Sequence, residues 1–216
     1  MSSQFFYIIE CRNPNCLFRF PSRATYIIEP VCPKCGSSAD IVNIYSETSS
    51  PVISKSLNNY KNFSVLLDNI RSAYNVGSIL RTSDGFGLDH IYCCGISATP
   101  ENPRIAKTSL GAEFSIQWSY HNNSLTVIDT LKKKETSILG LEVGENSIPI
   151  TQLNPSKFKK SILLILGNEL AGIDPDIRGR CDQLFFIPMV GYKESYNVTI
   201  AFGIAIFYLK LMMQTV

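Results

Sequence analysis

The sequence predicts an α/β protein, a parallel sheet with helices on both faces, preceded by a small N-terminal unit built around close cysteine pairs. Three features carry that expectation. Short apolar runs alternate with helical segments from residue 63 onward, which is the pattern of strands covered on both faces. The stretch SETSSPVISKSLNNYKN is polar, rich in Ser and Asn, and holds Pro51, so it reads as a linker. Ahead of it lie four of the seven cysteines. The expected divisions are therefore residues 1–45, a linker at 46–62, and an α/β domain at 63–216. A chain of 216 residues accommodates one large domain and one small one.

In chain order, strands are expected at 64–68, 90–94, 137–142, 162–166 and 183–187, and helices at 76–86, 125–133, 175–178 and 197–213. In an open parallel sheet the ligand lies at the carboxyl ends of the strands. The last helix is apolar on nearly every side. Ile200, Phe202, Ile204, Ile206, Phe207, Leu209 and Leu211 present more apolar surface than one sheet face can cover, which suits a helix that is both buried and paired with a second copy. The step Ser195, Tyr196, Asn197 opens directly into it. Unpaired N–H groups of the first turn and the Ser195 and Asn197 side chains can there receive a small ligand, or Ser195 can simply cap the helix. Asn75 is placed to cap the 76–86 helix, with Arg81 about one and a half turns further on, towards the opposite side.

The net charge of +2 gives no global attraction to nucleic acid. RNA would have to use local clusters such as Lys132 to Lys134, Lys157 with Lys159 and Lys160, or Arg71 with Arg104 and Lys107, each of which also fits an ordinary solvated face. The N-terminus lacks a basic region followed by a long apolar core, and the apolar run from Val198 is interrupted by Lys210. A cytoplasmic protein is expected, and seven unevenly spaced cysteines suit a reducing compartment.

Cys11 and Cys16 in CRNPNC and Cys32 and Cys35 in CPKCG are two close pairs separated by a short strand-like stretch, residues 18–29. Each pair can supply two thiolates from a tight knuckle, and tetrahedral Zn²⁺ takes four, so the segment is expected to be a zinc ribbon. Four cysteine ligands leave no open position for a catalytic water, which disfavours hydrolytic zinc chemistry. So short a segment cannot fold on its own apolar core, and metal binding would supply its folding energy. Arg12, Arg19, Arg23 and Lys34 could meet phosphates, though Glu10, Glu29 and Asp40 nearly cancel their charge.

Three polar, Gly-rich segments follow apolar strands: LLDNIRSAYNVGSILRTSDGFG, SILLILGNELAGIDPDI and FFIPMVGYKESYNV. In this order and spacing they resemble the three motifs of the TrmH-type (SpoU) branch of the SPOUT RNA methyltransferases, over roughly residues 63–211. The resemblance implies a SPOUT fold with a deep C-terminal trefoil knot, a homodimer, S-adenosylmethionine as cofactor, and methylation of a ribose 2′-hydroxyl of transfer or ribosomal RNA. It implies cofactor contacts at Leu141, Gly167, Asn168, Ile187, Met189, Tyr196 and Asn197. The catalytic set it implies is Arg81, Asn75, Glu169, Ser195 and Asn197, with Glu113 of KTSLGAEF a secondary candidate on the RNA side. The family assigns the arginine to activating the hydroxyl; a guanidinium is permanently protonated and has no acceptor, so Arg81 is better read as a phosphate clamp that orients the hydroxyl. Tyr196 stands where the family commonly has Leu, and Thr199 where it often has Ser.

Two other classes stay open at this stage. A non-catalytic RNA-binding or assembly protein could use the same fold. A nicotinamide-dependent oxidoreductase is disfavoured because no G-x-G-x-x-G follows the first strand.

Overall fold

A computed structural model describes residues 5–23, 29–46 and 62–214. The chain divides into two compact units, residues 1–56 and 57–216. The linker expected at 46–62 falls almost wholly outside the described residues, as does part of the strand-like stretch between the cysteine pairs, residues 24–28.

In the first unit β1 (Phe5–Cys11), β2 (Arg19–Ser22) and β3 (Ala39–Ser46) form an antiparallel sheet in the order β2-β1-β3. Ile9, Cys11, Cys32 and Ala39 are its buried apolar side chains among the described residues. Two of those four are cysteines, so the interior of this unit is its sulfur cluster more than a hydrocarbon core.

The second unit runs β4 (Asn62–Asp68), α1 (Ala73–Gly85), β5 (His90–Cys94), α2 (Ala106–Ser109), β6 (Trp118–His121), α3 (Ser124–Lys133), β7 (Thr136–Leu141), β8 (Ser147–Pro149), β9 (Ser161–Leu166), α4 (Pro175–Arg178), β10 (Gln183–Phe186) and α5 (Val198–Gln214). Its strands pair in parallel in the order β6-β5-β4-β9-β7-β10-β8. Every strand and helix expected from the sequence is present. The additional strands β6 and β8 close the two edges; at four and three residues they are too short to show a period.

The sheet is covered on both faces, which is why β9 reads SILLIL with almost no polar break. Ile162, Leu164 and Leu166 face a cluster with Val76, Ile79 and Leu80 of α1 and Phe202, Ala205, Ile206 and Leu209 of α5. Leu163 and Ile165 face the opposite cluster with Val127 and Ile128 of α3 and Ile177 of α4. Each fully buried aliphatic side chain contributes about 1.5–3 kcal/mol. Gly77 lets α1 approach α2: a Cβ there would stand 2.2 Å from Thr108 Oγ1 and 2.6 Å from the Ile105 carbonyl oxygen. Helices α1 and α5 run side by side in the same direction, Asn197 meeting Asn75 at one end and Phe207 meeting Phe86 at the other.

Two expected caps are made by other residues. Ser72, extended at φ −89° and ψ 114°, caps α1 by accepting the Asn75 N–H at 3.3 Å. Asn75 already sits inside the first turn, so its side chain is free for the site. At α5 the cap is Asn197, whose Oδ1 accepts the Thr199 N–H at 2.9 Å, and Ser195 lies outside the helix. Among the described residues, no helix is long and apolar enough to cross a membrane.

Candidate active site

Because the strands are parallel, the segments after β4, β9 and β10 emerge at one edge of the sheet. The segments after β9 and β10, with the one after β7, line a cavity of about 610 Å³, within the usual range for small-ligand sites, and the segment after β4 adjoins its mouth through Glu169. The cavity walls include Leu141, Gly167, Asn168, Glu169, Ile187, Met189, Ser195, Tyr196 and Asn197. All seven residues expected to contact a cofactor therefore line one space.

Glu169 organises the mouth. Its carboxylate accepts the Arg71 N–H at 2.8 Å, the Ser72 N–H at 3.2 Å and the Asn75 side-chain amide at 2.9 Å. Asn75 Oδ1 in turn accepts from Asn197 Nδ2 at 3.4 Å. The string Asn197–Asn75–Glu169 thus ties α5, α1 and the loop after β9 together. Burial alone would push the Glu169 carboxyl up; the hydrogen bonds from Arg71, Asn75 and Ser72 outweigh it and hold the group below its ordinary value. Glu169 is consequently ionised at neutral pH with its lone pairs engaged, an anchor and not a general base.

The loop after β9 is held by its own backbone. Asn168 and Gly172 exchange N–H···O bonds of 3.0 and 2.9 Å, and the Asn168 side-chain amide donates to the Asn69 carbonyl at 2.7 Å. Gly167 is required by this turn: a Cβ there would stand 2.4 Å from the Gly172 carbonyl carbon. Its glycine is a packing requirement of the loop as well as part of the cavity wall. Thr199 keeps a hydroxyl, which donates to Asn197 Oδ1 at 2.6 Å, and Tyr196 is 38% exposed on the cavity wall.

Arg81 does not join this group. It is exposed on the outer side of α1 and is absent from the cavity lining. Six residues of helix carry it about 9 Å along the axis from Asn75. Glu113 also stands apart, where its carboxylate caps a tight turn by accepting Ser109 Oγ at 2.5 Å and the Gly111 N–H at 2.9 Å. The hydrogen bonds of Ser109 and Gly111 hold its carboxyl below the ordinary range.

Among the lining residues not singled out from the sequence is Glu142. Glu142 follows β7 directly, and burial pushes its carboxyl up, against the opposing pull of the Ile173 N–H and the Arg178 charge. A carboxylate at the carboxyl end of an expected strand was the available signal.

In the first unit Cys11, Cys16, Cys32 and Cys35 converge, with all four Sγ atoms within 4.8 Å of one another. The Cys11–Cys35 and Cys16–Cys32 separations are 3.5 and 3.9 Å. Four thiolates at Zn–S bonds of roughly 2.3 Å form a tetrahedron with edges of roughly 3.8 Å, so the donor set fits that ion. Gly36, at φ +73°, closes the second knuckle, and Leu17 takes a similar left-handed conformation at φ +47° after the first. Desolvation pushes the Cys11 thiol up to about 12, while hydrogen bonds from Ser37 pull Cys35 down to about 6. Of the cations proposed to meet phosphates, Arg12 pairs with Asp40 and Arg19 with Glu10 at 2.7 Å. Arg23 and Lys34 lie over the rings of Phe6 and Phe18 at 4.8 and 5.9 Å.

Residues 62–207 match the SpoU rRNA Methylase family. The chain belongs to that family. The SpoU match falls wholly within the second unit and leaves the cysteine-bearing unit outside it. Among its relatives, the chain is 29% identical over 146 residues to the 23S rRNA (guanosine(2553)-2'-O)-methyltransferase RlmP of Bacillus subtilis, covering 68% of this chain and 57% of that protein. It is 33% identical over 149 residues to an uncharacterized tRNA/rRNA methyltransferase of Borreliella burgdorferi, covering 68% and 63%. The chain thus spans less than two thirds of the length of these relatives. The structure of an AdoMet-bound rRNA methyltransferase from Sinorhizobium meliloti superposes with a TM-score of 0.66 at 24% identity, over 78% of this chain and 62% of that one, and shows the same fold.

Proposed function

We propose that this protein transfers the methyl group of S-adenosylmethionine to a ribose 2′-hydroxyl of ribosomal or transfer RNA. The observation that carries the reading is the Asn197–Asn75–Glu169 string at the mouth of the cavity. It joins the three segments singled out in the sequence. Membership of the SpoU family and the 2'-O-methyltransferase named among its relatives support the same reaction.

Leu141, Ile187 and Met189 would hold the adenine against an apolar wall, with Gly167, Asn168, Tyr196 and Asn197 around the remainder. The cofactor supplies an electrophilic methyl on a sulfonium sulfur. The ribose 2′-oxygen must stand about 3 Å from that carbon, in line with the sulfur, gain the methyl and lose its proton. Ser195 and Asn197 orient the target nucleotide. Asn75 and Glu169 fix Asn197. Arg81 clamps an RNA phosphate and so orients the hydroxyl, whose proton loss that phosphate assists on the way to solvent. Glu169→Ala is expected to slow methyl transfer about 10–10²-fold through misplacement of Asn75 and Asn197. Its thermal midpoint should change little, since the exposed Arg71 and Ser72 N–H groups can turn to water. Single-turnover transfer to RNA at wild-type speed would remove the string from the mechanism.

The reading includes a homodimer. Ile200, Ile204, Phe207 and Leu211 recur on one stripe of α5 and are 54, 39, 57 and 46% exposed, an apolar strip that a second copy would cover. Arg81, on the adjacent helix α1, would flank that interface and serve the partner's cavity in place of its own. Phe207→Glu should halve the mass measured by sedimentation equilibrium; a wild type already monomeric at micromolar concentration would exclude the pairing. The four-cysteine cluster is read as a structural zinc site, closed to chemistry.

A further inference from the structure

We infer that Glu142 is the residue that reads the ribose hydroxyls of the bound adenosyl group, and so sets the specificity of the cavity for a ribonucleoside cofactor. The inference rests on the cofactor reading above. Glu142 lines the cavity immediately after Leu141, at the carboxyl end of β7. Its Oε2 accepts the Ile173 N–H at 3.1 Å, while Oε1 receives no hydrogen bond among the described residues. Its position is over-determined. The Glu142 N–H donates to the Phe185 carbonyl at 2.9 Å. Gly172, at φ +71°, leaves room for the carboxylate, since a Cβ there would lie 2.7 Å from Oε1 and 2.9 Å from Oε2. A half-buried carboxylate, fixed on one oxygen and short of donors on the other, is an acceptor awaiting an O–H or N–H from the cavity.

The order of strands selects which part of the cofactor that donor belongs to. Along the carboxyl edge come Asn75 after β4, Glu169 after β9, Glu142 after β7, and Ile187 with Met189 after β10. Strands stand about 4.8 Å apart, so Glu142 lies about two strand spacings from the one that leads to Asn75. The reacting methyl belongs at the Asn75–Asn197 end. The adenine belongs at the Leu141–Ile187–Met189 wall. Glu142 borders that wall beside Leu141, on the side towards β9 and the reacting end, where the ribose joins the two. A carboxylate accepting from a ribose diol at a strand end is the arrangement that dinucleotide-binding sheets use.

Isothermal titration of the full-length protein with S-adenosylhomocysteine and with its 2′-deoxy and 3′-deoxy forms tests the inference without requiring turnover. Wild type should bind at least one deoxy form about tenfold or more weakly, the usual worth of a hydrogen bond to a charged acceptor. Glu142→Gln still offers Ile173 an acceptor, and in it that penalty should shrink to about threefold or less, the residual worth of a neutral partner. If this variant binds none of the three, Glu142→Asp, which keeps the charge and draws it back, is held to the same reduction. Equal wild-type affinity for all three ligands, or a penalty undiminished in the variants, overturns the assignment while leaving the cofactor site standing. Failure of wild type to bind S-adenosylhomocysteine overturns the cofactor reading, and the assignment with it.

Discussion

Arg81→Ala is expected to lower methyl transfer about 10²-fold, the cost of letting the clamped nucleotide and its 2′-hydroxyl drift from the reactive geometry. Affinity for S-adenosylmethionine should stay within about twofold, because a residue outside the cavity can remove transition-state stabilisation without removing cofactor binding. The separation follows from where the residue lies. Arg81 is exposed on α1 and takes no part in the cavity wall, and its helix is held by Val76, Ile79 and Leu80, which the substitution leaves in place. Arg81→Lys should recover only part of the rate, since an ammonium supplies a point charge but not the planar fork that grips phosphate oxygens. Rapid-quench transfer measured beside equilibrium cofactor binding checks both halves. Equal losses in rate and affinity would place Arg81 in the cofactor site instead.

The second large effect concerns the first unit. If the four-cysteine cluster holds zinc as proposed, a chelator, or replacement of Cys32 with Ser, should unfold β1, β2 and β3 and leave the second unit folded. Structural zinc contributes about 10–16 kcal/mol of apparent binding energy at neutral pH. Apart from Cys11 and Cys32 themselves, Ile9 and Ala39 are the buried apolar side chains there among the described residues, far too few to offset the entropy of ordering the strands. The second unit has its own core on both sheet faces and no share in the sulfur cluster. Amide exchange read by mass spectrometry should show protection lost in β1, β2 and β3 and kept in β4, β9 and β7. Binding should also weaken as pH falls, because the thiolates must be free of protons to hold the ion. Retained protection in β1 and β3 after chelation would exclude a metal-built fold.

The fold was legible where periodicity had length to show itself. β9 has six residues, five of them buried, and α5 has seventeen. β6 and β8 escaped because WSYH and SIP carry no period and are strands only by virtue of the neighbours they pair with. The cysteine cluster was legible because a knuckle is local: four residues lie between Cys11 and Cys16 and two between Cys32 and Cys35. At the active site, residue identities were easier to read than partnerships. Sequence spacing suggested that Asn75 caps its own helix, yet its amide bonds Glu169, 94 positions away, and Ser72 caps instead. Likewise Ser195 and Asn197 both suit a cap, and only the point at which α5 begins assigns that task to Asn197. Glu142 passed unnoticed because what marks it, the space left by Gly172 and the N–H of Ile173, lies 30 and 31 positions beyond it in the chain.

The protein should be incubated with radiolabelled S-adenosylmethionine and total cellular RNA, the RNA hydrolysed in alkali, and the label located. Label in alkali-resistant dinucleotides, lost with Arg81→Ala, is the predicted result, because a methylated 2′-oxygen cannot attack the adjacent phosphate. Label confined to alkali-sensitive mononucleotides would place the methyl on a base, and no transfer by a protein that binds the cofactor would leave an RNA-binding protein; either contradicts ribose methylation.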